Sequence, residues 1–122
     1  MLGLRRPYLY FLVAMSFLVM AATLAFAHAV LVEATPSPNG VVNGPNVDIT
    51  LRFNVRVDAA RSRLELVIPS GTQMSLPARQ GNPANILLAR ATDLGPGKYN
   101  LIWQVLASDG HITRGQTGFS VK

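Results

Sequence analysis

The chain carries two histidines, His28 and His111, and no cysteine. His28 follows Ala25-Phe26-Ala27, a small-x-small triplet behind an apolar run that opens after Arg5 and Arg6. That is the pattern of a secretory cleavage site. Cutting after Ala27 makes His28 a first residue, whose α-amine and imidazole close a chelate ring on one metal ion. His111 lies near the other end, in Asp109-Gly110-His111. On an extended chain residues i and i+2 face one side, so the Asp109 carboxylate and the His111 imidazole are expected to face one ion. Asp-Gly is also a favoured hairpin turn pair, and a turn alone explains the motif. The metal reading therefore depends on a fold that joins both extremities. It supplies the His28 amine and imidazole, the Asp109 carboxylate and the His111 imidazole. Three nitrogens and one oxygen suit tetragonal Cu(II), which tops the divalent affinity order. Zinc accepts similar ligands in a tetrahedron, and nickel is a further competitor. Without cysteine, thiolate sites, redox pairs and cysteine nucleophiles are excluded.

The elements that must position these donors read as strands. Residues 1–27 are expected to be a signal peptide and residues 28–122 the domain. Tyr8 to Leu24 form an apolar stretch of 17 residues, near the lower limit for spanning a bilayer, so an uncleaved anchor is the alternative. Removing the leader leaves 95 residues, enough for one core. Ala29 to Ala34 is a first extended segment, ended by the turn cluster Thr35-Pro36-Ser37-Pro38-Asn39-Gly40. Val47, Ile49, Leu51 and Phe53 alternate with Asp48, Thr50, Arg52 and Asn54, as in a half-buried strand. Further strands are expected at Arg63 to Ile68, around Met74 to Leu76, at Asn85 to Ala89, at Lys98 to Ala107 and at Thr113 to Val121, with loop from Pro77 to Pro83. Tyr99, Leu101, Trp103 and Val105 share one face. Ile102 and Leu106 opposite them suggest a strand covered on both sides. Trp103 reads as a core anchor and Ser108 to His111 as a hairpin corner. About seven strands with frequent turns predict an all-β Greek-key β-sandwich or barrel.

The formal charge is +5, and +3 without Arg5 and Arg6. The basic residues are scattered. Arg52 to Arg63 forms a loose cluster without interleaved aromatics, which argues against nucleic acid as a partner. A solvated strand face explains it, and weak attraction to an anionic membrane is the alternative.

His28-Ala29-Val30-Leu31 resembles the mature start of the CopC family of periplasmic copper-binding proteins. The resemblance continues through Thr35 to Gly40, the Val47 to Phe53 strand, Leu94-Gly95-Pro96-Gly97-Lys98-Tyr99, Trp103-Gln104-Val105 and Ser108-Asp109-Gly110-His111, and ends with Gly115 and Phe119-Ser120-Val121. It implies a cupredoxin-like or immunoglobulin-like Greek-key domain, exported to the periplasm as a monomer. It also implies a Cu(II) site at His28, Asp109 and His111, a role in copper homeostasis or resistance, and an integral-membrane copper transporter as partner. The family commonly has Phe-Ser-Glu-Pro-Val after its second strand. Here Phe53-Asn54-Val55-Arg56-Val57 puts Val55 in place of the glutamate, which bears on affinity and site orientation. Met74, the sole methionine after the leader, cannot provide the methionine-rich Cu(I) loop of some members, so the resemblance implies a binder of Cu(II) only.

Two rival readings remain open from the sequence. A histidine brace of the type used by copper oxidative enzymes also begins with an N-terminal histidine, although Asp109 would compete for the oxygen position. A metal-free structural β-sandwich needs neither histidine. No serine triad, catalytic carboxylate pair or phosphate-binding glycine loop supports another enzyme.

Overall fold

The computed structural model describes residues 28–122, and the leader expected over residues 1–27 lies outside the described residues. Among the described residues nine strands form: β1 (Leu31–Thr35), β2 (Gly40–Val42), β3 (Val47–Phe53), β4 (Val57–Val67), β5 (Gln73–Leu76), β6 (Arg79–Gln80), β7 (Ile86–Ala91), β8 (Gly97–Ala107) and β9 (Ile112–Val121). They make a four-stranded sheet ordered β1-β3-β7-β6 and a five-stranded sheet ordered β2-β9-β8-β4-β5. All neighbours are antiparallel except β2 and β9.

The alternating pattern of β3 does what period-two sequences do. Val47, Ile49, Leu51 and Phe53 are buried while the residues between them are not. The inner faces of both sheets share one core, in which Phe53, Ile49, Leu51, Leu64, Leu66, Leu87, Leu101 and Val105 are fully buried. Each such side chain contributes about 1.5–3 kcal/mol through burial. Trp103 is 6% exposed and meets Phe53 edge-on, with ring centroids 5.3 Å apart. Its indole lies across Gly115, its partner on β9, where any Cβ would collide with the ring. Glycine is required there by close approach.

Two strands beyond the expected seven are short pieces made by long-range pairing. β2 runs parallel to β9, and β6 pairs with β7 inside the stretch expected to be loop. Local pattern carries little signal for strands of two or three residues. β4 begins at Val57, earlier than expected, because its ladder with β8 is interrupted between Asp58 and Arg63. Ser62 fills the interruption: its hydroxyl donates to the Asp58 carbonyl at 2.6 Å and accepts the Leu106 N–H at 3.1 Å. β8 is central in hydrogen bonding. Ile102 and Leu106 are half-buried on an outer face that carries no layer among the described residues, which corrects the expectation of a doubly covered strand.

Candidate metal centre

The site lies where β3 ends, β4 begins and the β8–β9 hairpin turns. Leu31 at the start of β1 pairs with Phe53 at the end of β3, and Val57 at the start of β4 pairs with Ala107 at the end of β8. Ala29 inserts into the core at 1% exposure. Val30 is then bracketed by Asn54: its N–H donates to Asn54 Oδ1 at 2.7 Å, and its carbonyl accepts the Asn54 N–H at 3.0 Å. His28 thus projects two residues beyond a pinned point. The same short segment holds the other half of the site, since Ser108 N–H donates to the Arg56 carbonyl at 3.0 Å.

Asp109 and His111 come together through a turn and not through an extended strand. Gly110 N–H donates to the Ala107 carbonyl at 3.0 Å, and Ala107 N–H to the His111 carbonyl at 2.9 Å. Gly110 has φ of 89°, a conformation that glycine adopts without steric cost. Asp109 closes the corner with both oxygens. Oδ1 accepts the His111 N–H at 3.0 Å, and Oδ2 lies 2.7 Å from His111 Nδ1. An ionised carboxylate only accepts, so the imidazole donates from Nδ1 and Nε2 keeps its lone pair for a metal. The Asp109 carboxyl is held below its ordinary range, first by the His111 backbone N–H and then by the imidazole, with partial desolvation opposing.

His28 and His111, 83 positions apart in the sequence, meet edge to face with ring centroids 5.1 Å apart and planes at 67°. A metal–imidazole bond of about 2.0–2.1 Å places each ring centroid roughly 3 Å from the ion; two rings on one ion then lie roughly 4.5 Å apart at right angles and roughly 6 Å apart when opposed. The observed separation falls between these limits. The His111 side chain is 59% exposed, and His28 is also exposed, so an ion has direct access.

The carboxylate is placed differently from the imidazoles. Among the described residues no group of three His, Cys, Asp or Glu side chains is spaced to hold a metal. Asp109 faces His111 Nδ1 instead of a point shared by both rings, and direct ligation requires that hydrogen bond to open. The His28 nitrogen is an amine only once the chain is cut before it. The bracketing role of Asn54 has no signature in the sequence, because its partner is 24 residues away. Val55, where the resemblance expects glutamate, packs against the core and brings no charge to the site.

Fold and site define a small all-β sandwich that presents two imidazoles and a braced carboxylate at one end. The CopC domain model matches residues 31–122, and the chain belongs to the CopC domain family. It is 33% identical over 100 residues to Protein YobA of Escherichia coli strain K12, covering 80% of this chain and 81% of that protein. It is 30% identical over 111 residues to Copper resistance protein C of Xanthomonas campestris pv. juglandis, covering 84% and 87% respectively. Among solved structures, CopC from Methylosinus trichosporium OB3b is similar with a TM-score of 0.73 and 31% identity, over 78% of this chain and 94% of that one. PcoC, a methionine-rich copper resistance protein from Escherichia coli, has a TM-score of 0.65 and 25% identity, over 79% and 100%.

Proposed function

We propose that the protein is an exported Cu(II)-binding protein of the periplasm, which sequesters the ion or delivers it to an integral-membrane copper importer. The ligands are the His28 amine and imidazole, the His111 imidazole and, once its hydrogen bond to His111 Nδ1 opens, Asp109. The observation that carries this reading is the meeting of two exposed imidazoles from opposite ends of the chain, at a separation that suits one ion. Copper is favoured over other divalent ions by the nitrogen-rich donor set, and the relatives named as copper resistance proteins support the same choice. Met74 stands on β5, the far edge strand of the five-stranded sheet from β9, and is half-buried, so among the described residues no thioether stands beside the imidazole pair, which supports the Cu(II) reading.

The role is binding and transfer. Four donors fill the square plane and leave no open position for substrate, while exposure lets a partner compete for the ion. The test is mass spectrometry of the exported protein together with a Cu(II) titration in the presence of zinc or nickel. The expected result is a chain beginning at His28 that takes up one equivalent of Cu(II) ahead of both competitors. A processed protein that ignores copper at neutral pH contradicts the proposal.

A further inference from the structure

The outer faces of both sheets carry arginines, and on the four-stranded one Arg79 of β6 has no ion-pair partner among the described residues. On the four-stranded sheet, Arg52 pairs with Glu33 at 2.8 Å and Arg90 with Asp48 at 3.5 Å. On the five-stranded sheet, Arg63, Gln104 and Arg114 stand side by side on β4, β8 and β9. Arg114 Nε donates to Gln104 Oε1 at 2.9 Å. Neither Arg63 nor Arg114 has an ion-pair partner among the described residues.

With Gln104 Oε1 already engaged, the row offers donors: two guanidiniums and one amide. They border a shallow depression of about 180 Å³ shared with Glu65, which pairs with neither arginine. One register step toward the metal centre, Leu106 pairs with Ile112, which directly follows His111 and is 53% exposed. Arg61 stands at the same end, held loosely by Asp58 at 3.9 Å.

We propose that this face docks the protein on an anionic phospholipid surface, with the imidazole pair at its margin. Guanidiniums beside an exposed branched side chain suit a headgroup layer, where the charges meet phosphates and the apolar group enters the acyl boundary. Three adjacent strands spread the donors across about 10 Å of the sheet's outer face. A plane of charge matches that better than one acidic peptide does. The large hydrophobic side chains exposed among the described residues are aliphatic, Val30, Val32, Val41 and Ile112, so no aromatic platform for nucleotide bases accompanies the arginines. The proposal is independent of copper, because among the described residues Arg63 and Arg114 make no side-chain hydrogen bond or ion pair to the metal centre.

The test is vesicle flotation of the exported protein at low ionic strength. One set of vesicles is phosphatidylcholine with phosphatidylglycerol, and the other is phosphatidylcholine alone. The wild type and an R52Q/R90Q variant are expected to float with the phosphatidylglycerol vesicles, and added salt is expected to release them. R63Q/R114Q is expected to partition on the order of 30-fold more weakly, with its copper titration unchanged. Equal partitioning of the two double variants, or no preference for phosphatidylglycerol, overturns the proposal. Capture by immobilised polyglutamate without vesicle binding assigns the face to an acidic protein and also overturns it. Loss of copper binding alone, with flotation intact, strikes at the metal reading and leaves this one standing.

Discussion

Each end of the sandwich carries a pair of aromatic rings at a similar separation, with opposite surroundings. At one end Tyr99 stacks on Phe119, with centroids 5.6 Å apart and planes at 11°; both are buried, and the Tyr99 hydroxyl donates to the Gly95 carbonyl at 2.8 Å. At the other end His28 meets His111 at 5.1 Å in solvent, edge to face. The first pair has its polar atom satisfied and its apolar surface covered, so it holds the fold. The second covers little surface and keeps His111 Nε2 clear of the Asp109 bond, so it adds little to stability and remains available for chemistry. Stability and binding should therefore separate by end.

The largest effect expected is Phe119→Ala, which should cost about 3–5 kcal/mol in chemical denaturation. Copper affinity should be unchanged under conditions where the variant is folded. His111→Ala should do the reverse. Loss of a ligand should lower Cu(II) affinity by at least the roughly hundredfold seen for changes around a metal's ligands, while the apo protein's denaturation midpoint moves within about 0.5 kcal/mol. A His111→Ala variant that melts early would break the division between the ends.

Asn54→Ala sharpens it, since Asn54 serves both fold and site. Losing the 2.7 Å bond to Val30 N–H should cost about 1 kcal/mol of stability. It should also cost roughly tenfold in copper affinity, as His28 loses its anchored base. Equal affinity in this variant, measured by competition with a chelator, would show that His28 needs no such support.

The smallest effect concerns acid. The lowered carboxyl of Asp109 means that its share of stability is present above the ordinary aspartate range and is lost only as pH falls through the lowered value. From neutral pH down to pH 5, weakening of copper binding should therefore follow proton competition at the imidazoles and the amine. An Asp109→Asn variant should keep the shape of that profile with its affinity reduced.

The two-sheet architecture was legible in the sequence wherever burial imposed a period. Val47 to Phe53 and Tyr99 to Val105 alternate because one side of each must be apolar. Gly40 to Val42 and Arg79 to Gln80 were not legible as strands, since their pairing depends on distant chain and not on their own pattern. For the site, residue types sufficed to nominate His28, Asp109 and His111, and the hairpin corner read at Ser108 to His111 formed. That the corner sets the Asp109 carboxylate against His111 Nδ1 did not follow, because it depends on the backbone at Gly110. Asn54 was hidden for a related reason: a bracket across 24 residues leaves no local trace.

The central claim is that the amine released before His28 joins both imidazoles and a carboxylate around one cupric ion. Electron paramagnetic resonance of the Cu(II)-loaded protein tests it directly, comparing the chain that begins at His28 with one that keeps Ala27. Removing the amine should change a spectrum of three nitrogens and one oxygen and weaken binding sharply. Identical spectra and affinities from the two forms would contradict the account.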